Sequence, residues 1–379
     1  MYALALLLGV GSLLTTVRPA ARARPVTIGV YQELPFGVAR SHPSVTEGAR
    51  TTRDGRSLAR LPAREPSVLY TAMVGSGAVA APIALTNNLL LAVAGDAAAH
   101  VDAAGTVGPH GVSLRGGGGV SLTPGDGYVV AETDGLAFFD RALSGLTRVP
   151  VAGLSPHAPL ALEDSSVVVS AGARVLRVDA TGREHFALPV ASRAHSPIAR
   201  TPAGELVAAT TQELVVFSED GRVLRRELLG EPPVAGPAVA LDGTVWMLTR
   251  RELVAFEARG GVRVRVPASP AGPVTHGGLA IAADGSVRAS VLGTGVLSVN
   301  ASGAELWRFP LELAHFVVVD AAGVALSLTR DGLLVALDAA GQERWRTRLS
   351  GGGPQSAPVI GVDGTVYVGM RGGSLVALR

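Results

Sequence analysis

The chain repeats a short unit, whose clearest copy reads Ala357-Pro-Val-Ile-Gly-Val-Asp-Gly-Thr-Val-Tyr-Val368. A second copy reads Gly236-Pro-Ala-Val-Ala-Leu-Asp-Gly-Thr-Val-Trp-Met247. The Asp-Gly pair, or its substitute, marks eight units, at Asn88, Asp126, Asp164, Ala203, Asp242, Asp284, Ala322 and Asp363. Successive marks are about 40 residues apart, which is the length of a four-stranded propeller blade. The repeat therefore predicts an all-β fold, an eight-bladed β-propeller of four-stranded blades.

Each unit contains short apolar segments separated by turns. The inner strand begins after the proline, and the Asp-Gly pair forms the hairpin turn to the second strand. A third strand such as Leu375–Leu378 and an outer strand such as Glu343–Leu349 complete the unit. We interpret the aspartates as turn residues that bond to their own backbone. No stretch between residues 67 and 379 shows a sustained helical period, which argues against a helical repeat of this length.

The last unit stops at Arg379, directly after its third strand, and so lacks an outer strand. Ahead of the first unit, Ser67–Val74 resembles an outer strand and carries Tyr70 where the seventh unit carries Trp345. We expect this N-terminal strand to complete the last blade. That pairing would close the ring and remove the exposed edges of an open row of sheets.

The repeat, with a tryptophan on the outer strand, resembles the PQQ-like (quinoprotein-type) propeller repeat. That family includes the BamB-type outer-membrane assembly lipoproteins and, more distantly, the quinoprotein alcohol dehydrogenases. The resemblance covers residues 67–379 and is strongest in the last five units. Upstream, Gly48–Pro62 resembles the leader that often precedes such propellers. A shared repeat implies the fold, whereas function depends on a site within it.

The composition suits a ring of packed sheets, with 47% hydrophobic residues, 48 glycines and 24 prolines. All 33 basic residues are arginines, which we interpret as high-GC codon bias because the net charge is only +2; an anion-binding surface is the alternative. The chain contains no cysteine. This excludes disulfides and thiolate metal sites, and it departs from the lipid-anchored BamB-type proteins.

The apolar segment Met1–Leu14, followed by Ala21-Arg-Ala23, predicts a signal peptide over residues 1–23, although no basic residue precedes it. We therefore expect export to the periplasm or the medium. Residues 24–66 are rich in proline and arginine and are predicted to be a linker or an extended arm across the ring. A docking peptide for a partner is the alternative. The propeller itself is assigned to residues 67–379.

Candidate chemistry is sparse in this sequence. A quinone-dependent dehydrogenase of the family needs a calcium held by carboxylate and amide groups, a catalytic aspartate and a tryptophan beneath the quinone. We interpret the three tryptophans as packing between blades and Gly116–Gly119 as the turn before an inner strand; the tryptophans are Trp246, Trp307 and Trp345. No hydrolase or zinc-protease motif occurs. We predict no catalytic, cofactor-binding or metal-binding residue, no cofactor and no enzymatic activity.

Four histidines fall at or beside one position of the unit, just before the inner strand: His157, His195, His276 and His315. The register places them on one face of the ring, around the central channel. They are a candidate rim site for an anion or a metal, or a group that changes charge in mild acid. The alternative is ordinary solvated loop histidines, and an eight-bladed channel is too wide for opposite blades to share one ion.

The sequence favours a non-enzymatic binding or scaffold protein of the bacterial cell envelope. It would act as a monomer and contact protein partners through its propeller loops, as BamB-type proteins do. The alternatives are an exported quinone-dependent oxidoreductase and a sensory or carbohydrate-binding propeller. We expect neither nucleic-acid binding nor an integral membrane span in the mature chain.

Overall fold

A computed structural model describes residues 42–379, apart from Thr86, Asp126, His195 and Ala271. These residues form eight antiparallel four-stranded sheets, and none of them lies in an α-helix. The sheets are the blades of an eight-bladed β-propeller. The predicted fold class is confirmed. The predicted signal peptide, residues 1–23, and residues 24–41 of the predicted arm lie outside the described residues.

The strands follow in chain order from the inner to the outer edge of each blade. The first strand, β1, is Val68–Met73. Blades 1 to 4 comprise β2 Ile83–Ala84, β3 Leu90–Val93, β4 Ala97–Val101, β5 Val107–Ser113; β6 Val120–Leu122, β7 Tyr128–Ala131, β8 Gly135–Phe139, β9 Thr147–Pro150; β10 Leu160–Ala161, β11 Val167–Ala171, β12 Arg174–Val178, β13 Glu184–Pro189; and β14 Ala199–Arg200, β15 Leu206–Ala209, β16 Glu213–Phe217, β17 Val223–Leu228. Blades 5 to 8 comprise β18 Pro233–Val239, β19 Val245–Thr249, β20 Glu252–Phe256, β21 Val262–Pro267; β22 Gly277–Ile281, β23 Val287–Val291, β24 Gly295–Val299, β25 Glu305–Pro310; β26 Ala314–Val319, β27 Ala325–Thr329, β28 Leu333–Leu337, β29 Glu343–Arg348; and β30 Val359–Ile360, β31 Val366–Gly369, β32 Ser374–Leu378.

The turns and the ring closure follow the sequence prediction. The Asp-Gly aspartates that mark the repeat at 242, 284 and 363 accept a backbone N–H two residues on, as Asp242 does from Thr244 at 2.9 Å. Strand β1 pairs antiparallel with β32, and Tyr70 lies opposite Ala377. The predicted closure of the last blade by the N-terminal strand is confirmed.

The core consists of apolar layers between neighbouring blades. The second and third strands of a blade are buried on both faces, so they are continuous runs of valine, leucine and alanine rather than alternating ones. Trp246 is 1% exposed and packs in the layer between blades 5 and 6. Trp307 and Trp345 lie in the next two layers. The interpretation of all three tryptophans as inter-blade packing is confirmed.

A glycine in the turn before the outer strand lets adjacent blades approach closely. Gly341 has a φ of 80°, and a Cβ placed on it would lie 2.6 Å from the ring of Trp307 on the preceding blade. Tyr70, Phe186 and Val264 cover the equivalent turn glycines in the same way. An outer-strand side chain of one blade thus caps the turn of the next.

Replacing Gly341 by alanine is therefore expected to destabilise the protein more than the same change at Gly323. Both glycines belong to blade 7 and have a φ of 80°, but nothing lies within 4 Å of a Cβ on Gly323. Gly323→Ala should cost about 1–2 kcal/mol for the left-handed backbone. Gly341→Ala should cost about 1–2 kcal/mol more, because it overpacks against Trp307. Urea unfolding of both variants measures this difference, and equal losses would contradict the capping role.

Residues 42–62 run through the central channel as an arm. The arm forms backbone hydrogen bonds with six inner strands in turn, which join Ser44 to Ala84, Val45 to Leu122, Thr51 to Arg200, Thr52 to Val239, Asp54 to Ile281 and Gly55 to Val319. At the far end, Leu61 donates its N–H to Asp320, and Pro62 accepts a bond from Trp345 Nε1. The arm thus follows the inner edge of the ring from blade 1 to blade 7 before the chain continues to β1.

Candidate binding site at one end of the channel

One end of the channel opens into a cavity of about 630 Å³, which we call the bowl. Its wall consists of the segments that lead into or begin the inner strands, and all eight blades contribute. Its floor is the arm, at Glu47, Gly48, Arg53 and Gly55. The side of the ring on which the bowl opens is the bowl face. A partner or ligand that approaches the axis from this side therefore meets eight loops around a floor made by the same chain.

Arg53 fixes the floor of the bowl. The guanidinium is 5% exposed and donates to the carbonyl oxygens of Ala158 (2.8 Å) and Ile198 (3.0 Å), at the inner edge of blades 3 and 4. It also donates to the carbonyl of Glu47 and the hydroxyl of Thr46, both at 2.6 Å. Burial lowers the pKa of Arg53 to about 10, and the charge of Glu47 opposes that shift. Arg53 therefore remains charged and joins the arm to two blades.

Glu47 and His157 form a hydrogen-bonded pair at the edge of the floor. His157 Nδ1 lies 3.1 Å from one carboxylate oxygen of Glu47, and the Ala158 N–H donates to the other at 3.1 Å. Burial by itself would raise the pKa of Glu47, but His157, Arg53 and the Ala158 N–H lower it to about 2. Glu47 is thus ionised at neutral pH. The first histidine of the predicted rim contacts the arm.

The structure brings two of the predicted rim histidines together. The rings of His276 and His315 are 5.4 Å apart, and His315 stacks on Phe316 at 4.1 Å. Burial, helped by the neighbouring charges of His276, Arg330 and Arg371, lowers the pKa of His315 to about 4. His157 lies on blade 3, across the ring from His315 on blade 7, and His195 lies outside the described residues. The four histidines therefore do not converge on one point.

His315 is expected to make the folded state sensitive to acid. Its pKa is about 4 in the folded protein and 6.5 as the ordinary value, so the unfolded chain takes up the proton first. Stability is then present above pH 6.5 and is lost as the pH falls to about 4, at no more than about 1.4 kcal/mol per pH unit. His315→Gln should remove this part of the loss. Urea midpoints across that range measure it, and parallel curves for the two proteins would contradict the assignment.

The residues of the bowl do not fit a quinone–calcium site. Neither tryptophan nor aspartate occurs among its lining residues, and the carboxylate of Glu47 already pairs with His157. Within the described part of the chain, no group of three or more His, Cys, Asp or Glu could hold a metal ion. The arm also occupies the axis directly beneath the bowl.

Sequence reasoning did not identify Glu47 and Arg53 as site residues. The sequence predicts a linker or an extended arm over residues 24–66, and the charged residues of that segment show no spacing that points to the inner strands. The one local signal is the pair Arg50 and Asp54, which are four residues apart and form a buried ion pair at 2.5 Å.

Comparisons with known proteins agree with this architecture. The family model described as outer membrane protein assembly factor BamB matches residues 292–379. No curated protein matches the sequence. Among solved structures, BamB from Moraxella catarrhalis has 14% sequence identity and a TM-score of 0.66, covering 83% of this chain and 100% of that one.

Enzymes share the fold as well. The quinohemoprotein alcohol dehydrogenase ADHIIG from Pseudomonas putida HK5 has 12% identity and a TM-score of 0.68, covering 92% of this chain and 82% of that one. Virginiamycin B lyase from Staphylococcus aureus has 11% identity and a TM-score of 0.52, covering 69% and 93%. Such low identities show the fold alone. No helix among the described residues is long and apolar enough to cross a membrane. By the repeat sequence of its last blades and by its fold, the chain is an eight-bladed β-propeller similar to the PQQ-like propellers of the BamB type.

Proposed function

We propose that this protein is a non-enzymatic binding protein of the bacterial cell envelope that holds protein partners on its bowl face. The observation that carries the proposal is the arm in the channel. Backbone bonds to six inner strands and the Arg53 bonds to Ala158 and Ile198 fix it in place. The floor of the bowl is therefore part of the fold, and the surface that remains for a partner is the ring of eight loops.

The surroundings of the bowl suit recognition of a polypeptide. Its wall is rich in glycine and proline, as in Gly116–Gly119 and Pro233–Pro237, which presents backbone and small apolar groups. Loops held on a rigid scaffold are common binding surfaces in proteins. The match of residues 292–379 to an outer-membrane assembly factor supports a place in the envelope and a protein partner. The predicted signal peptide supports the same location.

Photo-crosslinking from one face of the ring and then the other tests this proposal. A photoreactive residue replaces either Gln355, which is exposed in the bowl, or Leu241, which is 53% exposed in a turn on the opposite face. In cells that export the full chain, we expect a discrete protein adduct from position 355 and none from position 241. Mass spectrometry then identifies the crosslinked partner.

Two results would contradict the scaffold proposal. Equal adducts from both positions would show contact without a preferred face, and no adduct from position 355 would show that the bowl face holds no protein. A thermal shift of the purified protein with pyrroloquinoline quinone and calcium would instead favour the quinone-dependent enzyme. Specific binding on a glycan array would favour the carbohydrate-binding propeller.

A further inference from the structure

Arginines recur at one position of the bowl face, the turn between the second and third strands of a blade. Arg250 occupies it in blade 5, Arg330 in blade 7 and Arg371 in blade 8. All three side chains are exposed, and none of them forms an ion pair with another described residue. Arg371 lines the bowl directly.

Outer-strand arginines differ from these turn arginines because they form ion pairs within the protein. In five blades, an outer-strand arginine pairs with a glutamate of its own blade, in the pairs Arg148–Glu132, Arg226–Glu213, Arg265–Glu252, Arg308–Glu305 and Arg346–Glu343. Such pairs neutralise positive charge around the circumference. Arg250, Arg330 and Arg371 have no such partner among the described residues, so their charge is left for something outside the chain.

A close pair of histidines lies beside two of these arginines. His276 and His315 lie on blades 6 and 7, and the charges of Arg330 and Arg371 act on His315. We call Arg250, Arg330 and Arg371 the basic arc; the ring of His315, which is neutral at pH 7, lies beside it and close to that of His276.

The carboxylates near the basic arc do not neutralise it. Glu231 pairs with Arg251, and Asp331 pairs with Arg348. Glu312, in the loop between blades 6 and 7, forms no ion pair with any described residue. Three unpaired arginines against one unpaired carboxylate leave a net positive charge over blades 5 to 8 among the described residues, and on the blade 3 side of the bowl Glu47 is held by His157.

We propose that the basic arc binds an acidic segment of the protein partner. This inference rests on the proposed function and adds the chemistry of the partner to it. Arginine guanidinium groups present paired donors that match carboxylates, and complementary charge speeds association and selects the partner. Arg371 lines the concave bowl, which an extended polypeptide can enter and a flat membrane surface cannot.

Fluorescence anisotropy of a labelled oligoglutamate peptide tests the arc, with oligoglutamine as the neutral probe. The test variant of the full chain combines Arg250→Gln, Arg330→Gln and Arg371→Gln. We expect it to bind oligoglutamate about tenfold or more weakly, since each exposed pair contributes up to about 1 kcal/mol. Raising the salt from about 0.05 M to about 0.5 M should abolish binding to the unmodified protein.

A matched control removes the same charge elsewhere. Arg64, Arg259 and Arg344 are exposed and have no ion pair within the described residues, and their triple change to glutamine should weaken binding by no more than about twofold. Equal losses of oligoglutamate affinity in the two variants would contradict the proposal that the basic arc binds an acidic segment. So would the absence of oligoglutamate binding to the unmodified protein. Binding of phosphatidylglycerol vesicles that depends on the basic arc, without binding of the peptide, would also contradict the proposal. If crosslinks from position 355 persist in any of these cases, the scaffold proposal survives and only the acidic partner is wrong.

Discussion

Arg53→Met is expected to lower the free energy of unfolding by about 3–5 kcal/mol. The substitution removes the buried donor of Ala158 O and Ile198 O, and it takes away the cation beside Glu47. Methionine fills similar space but forms none of these bonds, so two carbonyl groups lose their partner in a dry environment. Urea unfolding monitored by tryptophan fluorescence measures the loss.

The control for this prediction is Arg64→Met, in the segment that leads to β1. Arg64 is exposed and has no ion pair within the described residues, so its substitution should change stability by less than about 0.5 kcal/mol. Similar stability of Arg53→Met and Arg64→Met would mean that the arm lies in the channel without holding it together. Similar stability of the two variants would also weaken the proposed function, because that proposal depends on an arm that is fixed as the floor of the bowl.

Ala72→Pro should have the second largest effect, because it breaks the pairing that closes the ring. Val74 donates its N–H to Gly373 O at 2.9 Å, and N–H groups alternate in direction along a strand. The N–H of Ala72, opposite Leu375, therefore points towards β32. Proline has no N–H and would remove that bond at a buried position, at a cost of about 2 kcal/mol or more.

Met73→Pro is the matched control in the same strand. Met73 is 61% exposed, and by the same alternation its N–H points away from β32. Proline is tolerated at such outward positions of edge strands. We expect only Ala72→Pro to lower the urea midpoint and to form soluble oligomers by size-exclusion chromatography, because an unpaired β32 exposes a sheet edge. Equal behaviour of the two variants would contradict closure by β1.

The sequence was sufficient to predict the ring of blades, because each blade is a copy of the same repeated unit. The Asp-Gly marks gave the number of blades, and the missing outer strand of the last unit identified Ser67–Val74 as its replacement. Both inferences depend on local patterns that recur, such as the Asx turn at Asp242. The register also placed His157, His276 and His315 close to the axis, although it could not show that His157 meets Glu47.

The path of the arm could not be predicted, for a physical reason. Its partners are mostly backbone groups of the inner strands, and backbone hydrogen bonds carry no side-chain pattern that a sequence displays. The arm contains no repeated unit. The spacing that located every blade therefore does not predict which inner strand each arm residue contacts. The sequence does not predict the basic arc either, for a related reason. The turn arginines are far apart in the chain, and only the ring geometry brings Arg330 and Arg371 close to His315.

The closure by β1 also sets the order in which the molecule can be completed. Ser67 and Arg379 exchange backbone hydrogen bonds although they are 312 residues apart. During synthesis, β1 leaves the ribosome long before β32 exists, so it must wait unpaired while seven blades are made. Such long-range contacts are slow to form. The last blade can therefore be completed only after the other seven blades and β32 have been made.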